Sequence, residues 1–310
     1  MVPRQCPRYA FGQRLQINPS MVSTAEKFWD GEVHHACASP AHPTILAPPA
    51  AALTSSTKPV FQAFGVRKTY GGLEAVAGVD IAVEAGRTTA LIGPNGAGKT
   101  TLLHLMSGVE RPTSGRLVFA GRDTTRLPAH RLAALGLTRT FQISRDLGRL
   151  TVLENLLLAR QGQTGESLTG LFLRPRRSKR EEQAGIEKAR TILERFHLWR
   201  LADAPAAALS GGQKKLLELG RALMLEPTLV LLDEPAAGVA PAMKDVLIET
   251  IRLLATSGVG FLVIEHDLDV VAAICNHVYV MTSGKILMEG SFDEVTADSR
   301  VLEAYLGLKA

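Results

Sequence analysis

The sequence predicts an α/β fold, in which buried parallel strands alternate with helices beside a small antiparallel sheet. Three observations carry this. The runs at 228–232 and 259–264 are apolar, strand-length and supplied with β-branched residues, as strands covered on both faces are. Each is followed by a stretch of helical periodicity. A third apolar run, 88–92, leads into a glycine loop and then a helical stretch. The length of 310 residues allows two domains, or one with a subdomain, and 46% hydrophobic residues exclude wholesale disorder.

Taken in order, residues 1–58 read as a disordered extension with no folded role. They hold 7 of the 16 prolines and sustain no hydrophobic period. They lack the apolar run of a secretory signal, and a start at Met21 or later would spare the core. From Pro59 the texture changes. Val60 to Val66 reads as a strand, Gly71 and Gly72 turn the chain, and Val79 to Val83 alternates as a half-buried strand does. Thr88 to Ile92 is a strand, Thr101 to Met106 a helix, and Leu117 to Phe119 another strand. Residues 151–160 and 181–197 have helical periodicity. Between them lie a loop-like stretch and the basic cluster Arg174, Arg176, Arg177, Lys179 and Arg180, which reads as a solvated insertion loop, with a place near anionic lipid headgroups as the weaker alternative.

Composition narrows the function classes. The longest apolar run is too short to span a membrane. A net charge of +5 and 5% aromatics do not call for a nucleic-acid partner. Cys6, Cys37 and Cys275 form neither a disulfide framework nor a zinc pattern.

Gly93, Pro94, Asn95, Gly96, Ala97, Gly98, Lys99 and Thr100 fit G-x-x-x-x-G-K-[ST] between a predicted strand and a predicted helix. Glycines let backbone N–H groups converge on phosphate oxygens, and the helix N-terminus adds unpaired donors and the positive end of its dipole. Lys99 is a point charge for β- and γ-phosphates, and Thr100 offers a hydroxyl to Mg²⁺. A chance match has odds of roughly one in a hundred, and the motif alone says only nucleotide phosphate.

A second helix start suited to an anion follows at Leu209, Ser210, Gly211, Gly212 and Gln213, with Ser210 as N-cap of the run KKLLELGRALML. Alone it reads slightly better as a plain cap. Residues 229–234 are four apolar residues and then Asp233 and Glu234. A buried strand ending so presents both carboxylates at the sheet's carboxyl edge, where ligands sit. Asp233 there would hold Mg²⁺ and Glu234 would polarise an attacking water.

With these motifs in this order, residues 59–310 resemble the nucleotide-binding domain of ABC transporters. The resemblance rests on the phosphate loop at 93–100, Gln142, LSGGQ at 209–213, LVLLDE at 229–234 and His266. It implies a P-loop NTPase (RecA-like) core with a small antiparallel β-subdomain and a helical subdomain inserted at roughly 143–225. It implies ATP and Mg²⁺, with Gly93 through Thr101 and Ser210 through Gln213 on the nucleotide. Tyr70 would stack on adenine, Gln142 would sense Mg²⁺ and water, and His266 would contact the γ-phosphate. In such proteins the phosphate loop of one domain faces the LSGGQ loop of another. With one motif set, this chain would need a second ATPase chain, identical or related, and transmembrane permease subunits. The family usually has Asp or Asn near Ala240, a side chain that couples the two ATP sites, and alanine cannot make that hydrogen bond.

TRTFQ at 138–142, LTVLENLLLA at 150–159, DEPAAG at 233–238, IEHDLDVV at 264–271 and VLEAYLG at 301–307 resemble one subgroup, the ATPases of branched-chain amino acid importers. This implies a peripheral protein at the cytoplasmic face of the membrane, with an external binding protein delivering solute through the permease. Urea, amide or lipopolysaccharide systems share parts of the pattern, and a soluble ATPase of iron–sulfur assembly is the alternative outside transport.

Overall fold

The computed structural model describes residues 59–140, 147–160 and 175–306. The predicted extension 1–58 and Gln142 lie outside the described residues. The chain opens with two long strands, β1 (Pro59–Tyr70) and β2 (Leu73–Glu84), joined through Gly71 and Gly72. Next come β3 (Thr88–Ile92), α1 (Lys99–Met106), β4 (Ser114–Phe119), β5 (Arg122–Asp123), α2 (Ala129–Ala134) and β6 (Leu137–Arg139). The helices α3 (Val152–Leu158), α4 (Pro175–Arg195) and α5 (Gly211–Met224) pack on one another. The chain then runs through β7 (Leu229–Asp233), α6 (Pro241–Thr256), β8 (Gly260–Ile264), α7 (Leu268–Ile274), β9 (His277–Thr282) and β10 (Lys285–Gly290). It closes with α8 (Phe292–Ala297) and α9 (Ser299–Leu306).

Two sheets result. One is antiparallel, in the order β2-β1-β4-β5. The other runs β10-β9-β3-β8-β7-β6, parallel except for β10 on its edge. Every residue of β3 and β8 is buried, which is why their sequences read as unbroken apolar runs. Side chains alternate along β3 between two cores. Leu91 packs with Phe61, Ile81, Leu102 and Phe119 between the sheets, whereas Ala90 and Ile92 pack with Val271, Val278 and Val295 on the opposite face. Phe61 and Phe119 sit opposite each other across β1 and β4, with ring centroids 6.5 Å apart. Each contributes roughly 1.5–3 kcal/mol by burial.

The register aligns the strand ends that matter. Leu91 lies beside Ile264, and Ile264 beside Asp233, so β3, β8 and β7 release their loops at one edge. The basic cluster departs from expectation. Its residues from Arg176 to Arg180 belong to α4, which starts six residues before the predicted 181 and opens on Pro175. Proline suits a first helical position, where its missing N–H has no partner to lose. Ala240 caps α6 without a side-chain hydrogen bond, and Pro241 follows it.

Candidate functional site

The phosphate loop leaves β3 at Gly93. Its glycines answer to crowding as well as to backbone angle. Gly93 (φ 144°) and Gly98 (φ 102°) lie outside the range that side-chain-bearing residues favour. A Cβ at Gly93 would stand 2.0 Å from the carbonyl oxygen of Met281 in β9, and one at Gly98 would stand 2.3 Å from that of Ala75. The turn between β9 and β10 also donates the Gly284 N–H to the Ala97 carbonyl at 2.9 Å.

The first helical bond of α1 runs from the Leu102 N–H to Gly98, so the amides of Lys99, Thr100 and Thr101 precede the helical ladder. Lys99 is buried, and its ammonium donates to the carbonyls of Gly93 at 2.8 Å and Pro94 at 2.9 Å. Burial pulls its pKa below the usual lysine value, against the charges of Glu234 and Asp233, which hold it up. Those two carboxylates thus act on its charge from the end of β7.

Asp233 accepts from the Arg139 guanidinium at 3.0 Å. Arg139 is nearly enclosed, and burial lowers its pKa against the pull of Asp233. Sequence reasoning missed this partner, because Arg139 is distant along the chain and meets Asp233 through the pairing of β6 with β7. Thr100 and Asp233 supply the hard oxygen donors that Mg²⁺ prefers. It typically takes one or two protein groups together with phosphate oxygens, so this donor set fits the ion.

Glu234 adopts φ 48°, a left-handed conformation that costs a non-glycine residue roughly 1–2 kcal/mol. Its N–H extends the ladder to the Ile264 carbonyl at 2.9 Å. Its carboxylate meets His266 Nε2 at 2.9 Å, with both side chains open to solvent. The sequence proposed both residues, and the fold joins them across β7 and β8. It missed Glu265 between β8 and His266. This carboxylate is 2% exposed and accepts the N–H groups of Ala236 at 2.6 Å and His266 at 3.1 Å. A Glu before a His carried no signal, because its partners are backbone groups.

Ser210 caps α5 as predicted. Its Oγ accepts from the Gln213 N–H at 3.3 Å, and the Gln213 side chain accepts from the Ser210 N–H at 2.9 Å. Gln213, expected on nucleotide, is engaged in this capping box. Ser210 and Gly211 are exposed. Tyr70 ends β1, where its hydroxyl donates to Glu110 and the Lys68 ammonium lies 4.9 Å from its ring centroid. The Glu110 bond pushes its phenol up to about 12. The ring remains accessible, as stacking requires. Among the described residues, three or more metal-ligating side chains of His, Cys, Asp or Glu do not gather at one point.

A glycine loop wrapped on a helix N-terminus, with a buried lysine and two carboxylates at the adjoining strand edge, defines a P-loop nucleotide-binding protein. A sequence profile described as ABC transporter matches residues 76–237. The probable branched-chain amino acid transport ATP-binding protein LivG of Archaeoglobus fulgidus is 42% identical over 252 residues, 80% of this chain and 95% of the relative. The high-affinity branched-chain amino acid transport ATP-binding protein BraF of Pseudomonas aeruginosa is 38% identical over 255 residues, 81% of this chain and 99% of the relative. An ATP-binding cassette of an ABC transporter, solved in its ADP conformation, superposes with a TM-score of 0.70 at 39% identity. That match covers 81% of this chain and all of the solved one.

The chain belongs to the ABC transporter family. It is an ATP-binding cassette and an ATP hydrolase of that family.

Proposed function

We propose that this cassette energises the import of branched-chain or related amino acids. It pairs with a second cassette chain, identical or related, beneath two permease subunits, and an external binding protein delivers the solute. The names carried by the relatives support the solute class. Among the described residues no helix is long and apolar enough to cross a membrane, so attachment at the cytoplasmic face would run through the permease. We assign residues 59–310 to the ATP-binding domain, with the helical subdomain at roughly 143–225.

The backbone amides of residues 93–101 cradle the phosphates, and Lys99 turns its remaining donor to the β- and γ-phosphates. An ammonium carries three donors, of which Gly93 and Pro94 take two. Thr100, Asp233 and Gln142 would hold Mg²⁺, which neutralises charge on the β- and γ-phosphate oxygens when bound. Glu234 polarises the attacking water as general base. His266 steadies Glu234 and contacts the γ-phosphate, and Tyr70 stacks on adenine. The loop containing Ser210, Gly211, Gly212 and Gln213 faces the nucleotide of the second chain. ATP then binds the closed pair better than the open one, and a ligand shifts a conformational equilibrium only by such a difference.

The observation that carries the catalytic reading is the 2.9 Å pairing of Glu234 with His266 at the edge facing Lys99. The test reconstitutes the chain with its permease partners in vesicles loaded with ATP, adds the binding protein outside, and follows uptake of labelled leucine. Uptake by the wild-type complex, with none when Glu234→Gln replaces it, is expected. Leucine uptake that persists in Glu234→Gln overturns the reading.

A further inference from the structure

Beyond the last ladder bond of β7 and β8, from the Glu234 N–H to the Ile264 carbonyl, sheet pairing no longer fixes the two loops that carry the assigned chemistry. One runs through Pro235 and Ala236 after Glu234, and the other carries His266. Between them sits Glu265, 2% exposed, while Glu234 and His266 stand with 45% and 41% of their side chains in solvent.

The contacts of Glu265 are divided between the loops. Oε1 takes the Ala236 N–H at 2.6 Å, and Oε2 takes the His266 N–H at 3.1 Å. The nearby Asp267 amide adds to the pull toward the charged form. Its charged neighbours are Asp267 and Lys244 of α6, themselves an ion pair at 2.5 Å, so α6 is drawn to the same junction. Burial raises the pKa of Glu265, and the three backbone amides oppose the rise. A carboxyl group desolvated to this degree is a poor device for stability alone.

The residue type fits this arrangement. A carboxylate is acceptor-only at both oxygens, and every hydrogen-bonding group around this one is an N–H donor. A glutamine offers one acceptor oxygen and would set its NH₂ against the N–H of the other loop. An apolar residue would leave buried amides in both loops without partners.

We propose that Glu265 is a positioning residue for ATP hydrolysis: its two oxygens clamp the loop after Glu234 to the loop carrying His266 and so fix the separation of that pair. The inference rests on the assignment of Glu234 and His266 to the chemistry, and the test separates the two.

Steady-state ATPase is measured on the purified full chain for wild type, Glu265→Gln, Glu265→Asp, His266→Ala and the double variant Glu265→Gln/His266→Ala, with Glu234→Gln as reference. Melting temperature is followed for each. Glu265→Gln is expected to lower kcat by about tenfold or more, since small displacements of reacting groups cost this much. KM for ATP should stay within about twofold, because the phosphate loop is untouched. Its Tm should fall by no more than about 3 °C. In the His266→Ala background the same change should have little further effect, as expected of a group acting through His266. A folded Glu265→Gln with wild-type kcat, or a loss that simply multiplies that of His266→Ala, overturns the proposal. If neither Glu265→Gln nor Glu265→Asp folds, the residue belongs to the fold alone and the proposal fails likewise. If Glu234→Gln and His266→Ala both retain turnover, the catalytic assignment itself has failed.

Discussion

Among the described residues, the helix N-termini at the two glycine motifs, α1 and α5, are built in opposite ways. At α1 the loop is enclosed: Lys99 is buried, and neighbouring backbone fills the space where Cβ atoms of Gly93 and Gly98 would go. At α5 Ser210 and Gly211 are exposed while Gly212 is buried, and the cap is satisfied within itself by Ser210 and Gln213. One is a nearly finished cradle and the other an open face. This difference suits the proposed function, in which a single copy would hold half of each phosphate site and lend the other half.

The most damaging break falls on the enclosed side. Glu234→Gln should reduce turnover by about a thousandfold, within the usual contribution of a positioned base, while ATP still binds. Steady-state hydrolysis beside equilibrium nucleotide binding checks this, and light scattering with ATP should find a longer-lived dimer. Full activity would remove Glu234 from its role. On the open side, Ser210→Arg should cost about a hundredfold in turnover, as the loss of phosphate-facing donors does. It should leave ATP affinity of the isolated chain within about twofold. An equal loss of affinity would mean that both helix ends serve one nucleotide within one molecule.

Smaller effects sharpen the picture. Tyr70→Ala should weaken ATP binding about fivefold or more, and Tyr70→Phe far less, because stacking needs the ring and not the hydroxyl. Fluorescent-nucleotide titration distinguishes the two. With its phenol pushed up to about 12, Tyr70 stays protonated across the neutral range and its bond to Glu110 should not titrate there.

Glu265 gives a pH signature. Its folded pKa is raised, so the folded state binds that proton more tightly than the unfolded chain. Its contribution to stability is therefore greatest below the unfolded carboxylate value of about 4.3 and declines as pH rises through the folded value. Relative to Glu265→Gln, wild type should gain melting temperature as pH is lowered from neutrality. A difference that does not change with pH contradicts the raised pKa. Deleting residues 1–58 should shift Tm by less than about 2 °C and leave nucleotide affinity unchanged, and calorimetry of the truncated chain tests it.

The legible parts were those whose chemistry is local. The phosphate loop, the apolar run ending in Asp233 and Glu234, and the Ser210 cap each follow from contiguous residues, and the fold places all three as expected. The strands β6 and β10 escaped notice because one is only three residues long and the other is half-exposed, whereas β9 escaped although four of its six residues are buried. The start of α4 escaped because basic residues conceal a helix that Pro175 is able to open. Arg139 and Glu265 were invisible for a different reason. One meets its carboxylate across strands, and the other is read by backbone amides, which have no letter in the sequence.

The contact of Gly93 with Met281 bears on how the protein comes into being. The wall that shapes the cradle is synthesised long after the cradle itself, on a strand that completes the sheet. A nascent chain that has emerged only as far as α6 holds every letter of the phosphate motif and lacks the surface that gives it form. Competence for nucleotide should arrive late in translation and all at once, and severed halves of the cassette should each be inert until they reassociate.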